Sequence, residues 1–335
     1  MTGLIARSDN TGLGVQTWEF YKHMKPDKVI IADISRLNRN VLYNNRFEDA
    51  RVLKHPFKVN DIGIFVTKIK KLFVCETAYN PEIYRIAKRH DCKTFLQYNY
   101  EFLDIDTLPF HYQPDHIIAP STWNIEKVRA KLGHVAYLPV PVNRDLLPYV
   151  PKYNFKRFLH IAGTVAMLDR NGTEAVMKAW QILNRKDIQL VVKCQDVEQA
   201  KKWNEDYPNI EIDTTQVVNY WELYKGFDCL LLPRKYGGLC LPMQEALSCG
   251  MPVIMTDISP NNDVLPKEWL IKADYSQSFM SKQEVDVYEP DVLALADKIE
   301  LMSLCGVEQS EKANELADKI SWHNMKEKYL DLLHG

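Results

Sequence analysis

Residues 233–260 read P-R-K-Y-G-G-L-C-L-P-M-Q-E-A-L-S-C-G-M-P-V-I-M-T-D-I-S-P. An apolar run, Cys229–Leu232, leads into Pro233 and is expected to be a strand that stops there. The adjacent Gly237 and Gly238 permit positive φ and close approach of backbone to a ligand. A helix is expected from Pro242, since proline suits the first helical turn, to Cys249. Gly250 then serves as the residue that ends it, and Pro252 as a stop. A glycine loop ahead of a helix amino end gathers free amides and is suited to anions. Glu245 lies within reach of whatever the loop holds. The plain alternative is a well-capped strand–helix–strand unit, because tight glycine loops also make ordinary turns.

The same alternation extends in both directions. Strands are expected at Gly3–Ala6, Lys28–Ala32, Gly63–Val66, Leu72–Cys75, Thr94–Gln97 and His116–Ala119. Helices are expected at Val15–Met24, from Pro81 to His90, and from a Ser121 cap to Lys131. Leu138–Tyr153 holds four prolines and suits neither helix interior nor central strand, so it reads as a linker. The pattern then restarts with strand Arg157–Ala162, helix Gly172–Leu183 and strand Gln189–Val192. A short helix is expected at Trp221–Tyr224, a strand at Pro252–Thr256, and helices at Val292–Met302, Ser310–Lys319 and Trp322–Leu333. Such alternation makes parallel sheets of the α/β class. At 335 residues the chain suits two domains. They are expected at 1–140 and 156–320, with a proline-rich linker at 141–155 and a terminal helix, 321–335, packing back toward the first.

Composition narrows the function class. Hydrophobic residues are 46% and charged residues 26%, which suits globular domains. The seven cysteines are odd in number and make no C-x-x-C or zinc spacing, so reduced thiols and a cytoplasmic location are expected. No stretch approaches the ~20 apolar residues of a membrane span, and the first residues show no leader pattern. Residues 1–150 carry 21 Lys/Arg against 16 Asp/Glu, a net of +5; residues 151–335 carry 21 against 28, a net of −7. Either surface charge is merely uneven, or the first half meets something anionic.

The 233–260 stretch resembles the nucleotide-sugar signature of the GT-B retaining glycosyltransferases, chiefly family 4, with phage enzymes among its possible members. Leu241, Pro242, Glu245, Ala246, Cys249, Gly250, Pro252, Val253 and Ile254 fall in register. Leu159–Ala179, Ala119–Lys127 with Pro139–Val142, and Ser321–Leu330 resemble further segments of that family more weakly. The resemblance implies two Rossmann-like parallel-sheet domains facing across a cleft. It implies transfer of a sugar from a nucleoside diphosphate sugar, a UDP- or GDP-sugar, to an acceptor hydroxyl. Retention, no metal and no tightly bound cofactor go with it.

The resemblance places Glu245 on the donor ribose hydroxyls, and puts Gly238, Leu239 and Cys240 beside the sugar or diphosphate. Gly237 stands where the family has a glutamate near the donor sugar. In the loop after Gly163, Thr164 stands where the family has arginine, and Asn171 where it has lysine. Arg170, Lys193, Arg234 and Lys235 are the candidates to replace those charges. Gly12 and Gly14 form a G-x-G ahead of a helix, but Thr17 stands where a dinucleotide fingerprint has its third glycine. That loop suits a phosphate or the acceptor, or is a plain turn. The family's histidine at a strand end is missing; Glu76, Asn99 and Glu101 are the candidates to orient or deprotonate an acceptor hydroxyl. Asp104-Ile-Asp106 mimics a metal motif of another fold without its setting.

For the acceptor, the +5 half points to DNA or another anionic molecule, as for transferases acting on modified DNA bases. Lys68, Lys70, Lys71, Arg85, Lys88 and Arg89 are the candidate phosphate contacts. Two other readings keep the fold. One is an inactive sugar-nucleotide-binding protein, which accounts for Gly237, Thr164 and Asn171 together. The other is a phosphorylase or epimerase.

Overall fold

A computed structural model of the chain describes residues 1–9, 11–35, 46–104, 112–163 and 167–335. The chain divides into two compact units. The first comprises Met1–Val140, Ser281–Gln283 and Trp322–Gly335; the second comprises Pro141–Met280 and Glu284–Ser321.

Among the described residues, the first unit holds a parallel sheet of seven strands: β1 (Thr2–Ala6), β2 (Lys28–Asp33), β3 (Arg51–Lys54), β4 (Lys71–Glu76), β5 (Lys93–Tyr98), β6 (His116–Ala119) and β7 (Val135–Tyr137). Their order is β3-β2-β1-β4-β5-β6-β7, so the order reverses between β1 and β4. The central strands are buried on both faces, which is why they read as continuous apolar runs such as Leu72–Cys75. The helices are α1 (Gly12–Met24), α2 (Val59–Val66), α3 (Glu82–Arg89), α4 (Ile125–Leu132) and the terminal helix Trp322–His334. The terminal helix buries Trp322, Met325, Tyr329 and Leu333 in the same core as Phe20 and Phe73.

The second unit repeats the plan. Its sheet runs β10-β9-β8-β11-β12-β13. The strands are β8 (Arg157–Gly163), β9 (Gln189–Cys194), β10 (Glu211–Asp213), β11 (Cys229–Leu231), β12 (Val253–Thr256) and β13 (Leu270–Ile271). The order reverses between β8 and β11. Helices α5 (Thr173–Leu183), α6 (Val197–Asp206), α7 (Leu241–Ser248), the single turn α8 (Asn261–Val264), α9 (Val292–Ser303) and α10 (Val307–Lys319) connect or cover it, and Trp322–His334 is numbered α11. An antiparallel hairpin, β14 (Ala273–Met280) with β15 (Glu284–Pro290), stands outside the sheet. Two Rossmann-like parallel sheets are the architecture expected from the sequence.

Several local expectations need correction. Gly63–Val66 is the end of α2, not a strand: Ile62, Phe65, Val66 and Ile69 are the buried residues, and that spacing is helical. Ser121 does not cap α4; Asn124 precedes the helix in a left-handed conformation, and Ser121 Oγ accepts from the Trp123 amide. Helix α1 starts at Gly12 rather than Val15, because Thr11 caps it and Asp9 Oδ1 accepts from the Thr11 amide at 3.0 Å. Strands β3 and β7 and the β14–β15 hairpin have no counterpart in the sequence reading.

Candidate functional site

In parallel sheets ligands bind outside the carboxyl ends of the strands, where the order reverses. In the second unit that place lies beyond β8 and β11, and two loops meet there. The loop after β8 and the loop after β11 are joined by the Lys235 amide donating to Arg170 O at 2.9 Å and by the Tyr236 hydroxyl donating to Met167 O at 2.8 Å. Gly172, at φ +69, passes so close to Pro233 O that a Cβ would collide with it. Beneath them His160 spans the layers: Nδ1 faces Leu231 O at 2.7 Å and Nε2 faces Thr173 Oγ1 at 2.9 Å. A carbonyl only accepts, so Nδ1 carries the proton and Nε2 accepts from the threonine. Burial pushes this imidazole down to about 4, so it is neutral.

The joined loops bring together several of the expected residues. Gly237 adopts φ +112, and a Cβ there would lie 2.6 Å from Arg234 Nη2 and closer still to Arg170 Nη2. Two guanidinium groups thus fill the space that a side chain at Gly237 would take. Arg234 is 5% exposed; its Nη1 donates to Leu239 O at 3.0 Å, and its Nε has no hydrogen-bond partner among the described residues. Arg170 lies over the Tyr236 ring, 5.1 Å from its centre. Two guanidinium groups this close together suit an anion.

Helix α7 starts next to them, with Cys240 as its N-cap and no side chain capping it. Its first amides therefore lack an intrahelical partner. Glu245, on the second turn, is buried and accepts a hydrogen bond from the Tyr224 hydroxyl at Oε2. Tyr224 ends the short 3-10 helix Tyr220–Tyr224 and is fully buried, which pushes its phenol well up. The sequence reading did not single out Tyr224.

The two lysine candidates differ from the arginines. Lys235 Nζ is paired with Glu289 at 2.7 Å and lies 3.9 Å from Asp169. Lys193, at the end of β9, is paired with Asp213. Both charges are matched within the unit. Gly163 lies at the end of β8 with φ +67 and open space beside it. Gly238 is buried in the loop, beside the half-buried Leu239. Thr164 lies outside the described residues, as does Asp106. Asn171 donates to Ile161 O and Ala162 O and so holds the loop rather than a ligand.

In the first unit, the strand ends carry the other candidates. Asn99 Nδ2 donates to Glu101 Oε1 at 3.2 Å and approaches Glu76 Oε1 at 3.5 Å, so three residues from two strand ends form one cluster. Glu76 has φ +63, and the Thr77 amide closes a three-residue turn onto Cys75 O at 2.8 Å. Such backbone is costly for a residue with a side chain and concentrates at functional sites. Gln97, by contrast, is occupied: it donates to Leu138 O and to the Tyr329 hydroxyl and accepts from Gln16. The Ser8–Gly14 loop is organised around Asp9, whose carboxylate takes Arg7 Nε at 2.7 Å and caps through Thr11. Gly14 is glycine because a Cβ would collide with Asp9 O; Gly12 opens α1. The contact with Asp9 gives Gly14 a structural reason.

Glu76 also borders a cavity of about 630 Å³ within the first unit. The basic residues expected to meet an anionic acceptor lie elsewhere. Lys70 and Lys71 stand at the amino end of β4, and Lys88 and Arg89 in the last turn of α3, which runs back to that end. A strand of six residues puts them about 20 Å from the carboxyl ends. Arg85 is paired with Glu82, and Lys70 with Asp91.

No group of three or more His, Cys, Asp or Glu suited to a metal occurs among the described residues. No helix among them is long and apolar enough to cross a membrane.

Comparison with known proteins bears on both units. Residues 159–319 match the family Glycosyl transferases group 1. No curated protein matches the chain. Among solved structures, a glycosyltransferase from Rickettsia africae is 12% identical, with 99% of this chain and 97% of that chain covered and a TM-score of 0.69. HepE from Anabaena, solved with UDP and glucose, is 10% identical, with 100% and 99% covered and a TM-score of 0.69. The sucrose-phosphate synthase of Thermosynechococcus elongatus is 13% identical, with 99% and 97% covered and a TM-score of 0.69. At these identities the likeness is one of fold, and the fold is GT-B.

Proposed function

We propose that this chain, which carries a glycosyl transferases group 1 domain on a GT-B fold, is a transferase with a nucleoside diphosphate sugar as donor. The second unit holds the donor, and the first presents an acceptor hydroxyl. The observation that carries the reading is the convergence of Arg170 and Arg234 on Gly237, next to the uncapped start of α7, with Glu245 one turn further on. Guanidinium groups and helix amides suit a diphosphate. A carboxylate accepts both hydroxyls of a ribose. HepE, solved with UDP and glucose, supports a UDP-sugar as the first donor to try.

In the reaction the bond from the anomeric carbon to the diphosphate oxygen breaks, and its electron pair leaves with the nucleoside diphosphate. The acceptor oxygen forms the new bond to that carbon. Its proton passes to a carboxylate, for which Glu76 is the candidate, or to the departing phosphate oxygen. Charge grows on the diphosphate as the bond breaks, and fixed cations already in place stabilise it. That assigns to Arg170 and Arg234 the work a divalent ion does elsewhere, so turnover without added metal belongs to the reading. Retention of configuration belongs to it too, on the register of Leu241–Ile254 with the retaining family. The reading does not extend to a DNA acceptor, because the basic residues that suggested one stand at the far end of the strands.

The test is release of nucleoside diphosphate from UDP-, GDP- and ADP-sugars by the purified chain, alongside Arg234→Gln. Release by the parent protein that falls at least tenfold in the variant supports the reading. Nucleotide binding with no release from any donor in the presence of acceptors supports an inactive sugar-nucleotide-binding protein instead.

A further inference from the structure

Hairpin β14–β15 stands outside the sheet, and apart from the three residues of its tip it belongs to the second unit. It has one covered face. Val285 and Val287 alternate along β15 and are fully buried, and Phe279, paired with Val285 across the hairpin, is half-buried. The period of two puts Glu289 on the face of the two valines. Met280, next to Phe279 and on the other face, is 72% exposed.

Three contacts join the hairpin to the loop ahead of Gly237. The Tyr288 amide donates to Lys235 O at 2.9 Å, and Glu289 pairs with Lys235 Nζ at 2.7 Å. The Phe279 ring meets the Tyr236 ring edge to face, with 5.2 Å between centres. Tyr236 is buried, its hydroxyl donates to Met167 O, and Arg170 lies over its ring. The contacts therefore run in series, from Phe279 to Tyr236 to the Arg170 guanidinium beside Gly237.

The two helix starts at this place differ in what they leave open. The Asp169 carboxylate accepts from the Thr173 and Glu174 amides at 2.9 and 3.1 Å, so the chain's own anion fills the start of α5. The start of α7 has no side-chain cap. An incoming anion is left with α7 and the arginines, and the aim of each guanidinium then matters. A long arginine side chain loses rotamer freedom when a ligand fixes it. An aromatic face that holds the cation beforehand lowers that cost.

We propose that Phe279 is a positioning residue for the donor: by bracing Tyr236 it holds Arg170 where the diphosphate docks. The inference rests on the transferase reading for the identity of the anion. The plain alternative is a hairpin that only covers surface. On that alternative, loss of the Phe279 ring changes stability, or changes every ligand alike.

UDP, GDP and ADP, each with its nucleoside, are titrated calorimetrically into the whole chain. The pair whose diphosphate binds is carried into Phe279→Leu, which keeps apolar bulk without the ring, and into Phe279→Tyr, which keeps the ring. Met280→Ala is the control on the exposed face. Phe279→Leu should weaken the diphosphate about fivefold and leave the nucleoside unchanged. Phe279→Tyr and Met280→Ala should bind as the parent does. Placed in Arg170→Gln, Phe279→Leu should cost about twofold or less, because the group it acts through is gone. Diphosphate binding untouched by Phe279→Leu, equal losses of diphosphate and nucleoside, or a loss of the same size without Arg170 overturns the inference and leaves the transferase reading standing. Failure of all three diphosphates to bind the parent overturns that reading, and the inference with it.

Discussion

The Tyr224 hydroxyl donates a hydrogen bond to Glu245 Oε2, joining the end of a 3-10 turn to the second turn of the helix that follows the glycine loop. Both side chains are buried, so the bond fixes the carboxylate's orientation before any donor arrives. On the proposed function that orientation matters only for the ribose.

Tyr224→Phe removes the hydroxyl and keeps the ring. The parent chain is expected to bind UDP about tenfold more tightly than 2′-deoxy-UDP or 3′-deoxy-UDP, and the variant to lose most of that preference. A structural role alone would weaken the three nucleotides equally. Calorimetric titration of each into both proteins decides it.

Glu245→Ala is expected to weaken UDP by about 1.5–3 kcal/mol, the worth of hydrogen bonds to a charged group. The fold should stay intact with a lowered thermal midpoint, because the buried Tyr224 hydroxyl loses its acceptor. Affinity from titration and the thermal midpoint together separate the two effects.

Arg234→Gln is expected to weaken UDP tenfold or more and to leave uridine unchanged, because only UDP brings a diphosphate to that guanidinium. Raising the salt concentration should weaken UDP binding in the parent more than in the variant. Equal losses for UDP and uridine would place Arg234 outside the phosphate site.

His160 gives a stability prediction with a definite sign. Its folded value is about 4 against 6.5 unfolded, so between these values the unfolded state binds more protons. Stability is fully present above pH 6.5 and falls as pH drops toward 4, by about 3 kcal/mol in all. Denaturant unfolding at pH 7.5, 6, 5 and 4.5 should show this loss. His160→Gln should lower stability at pH 7.5 but flatten its fall on acidification.

Much of this arrangement is legible in the sequence, and the reasons for the rest are physical. The central strands announce themselves because both faces are buried, and α7 because Gly237, Pro242 and Gly250 punctuate it. The α2 segment misled because Ile64, Phe65 and Val66 are consecutive apolar residues, although Ile64 is half exposed and the buried set recurs at helical spacing. The hairpin β14–β15 is polar and exposed along most of β14, so it leaves no apolar pattern. At the site, Glu245 and the candidate arginines come from one stretch and one neighbouring loop, but the partnership of Tyr224 with Glu245 spans 21 residues and exists only once the second unit folds. The matched state of Lys193 and Lys235 is likewise tertiary: Asp213 and Glu289 are 20 and 54 residues away. The charge split gave no hint that Lys70, Lys71, Lys88 and Arg89 gather at the amino ends of the strands, because net charge carries no position.

The central claim is that the loop pair around Gly237 holds the diphosphate of a sugar nucleotide. The most direct measurement is calorimetric titration of UDP, GDP and ADP into the parent chain, Arg234→Gln and Glu245→Ala, in buffer containing EDTA. At least one of the three is expected to bind the parent without metal, with affinity at least tenfold lower in each variant and the thermal midpoint of Arg234→Gln within a few degrees of the parent's. Binding of none of them, or binding of equal strength in all three proteins, would contradict the claim.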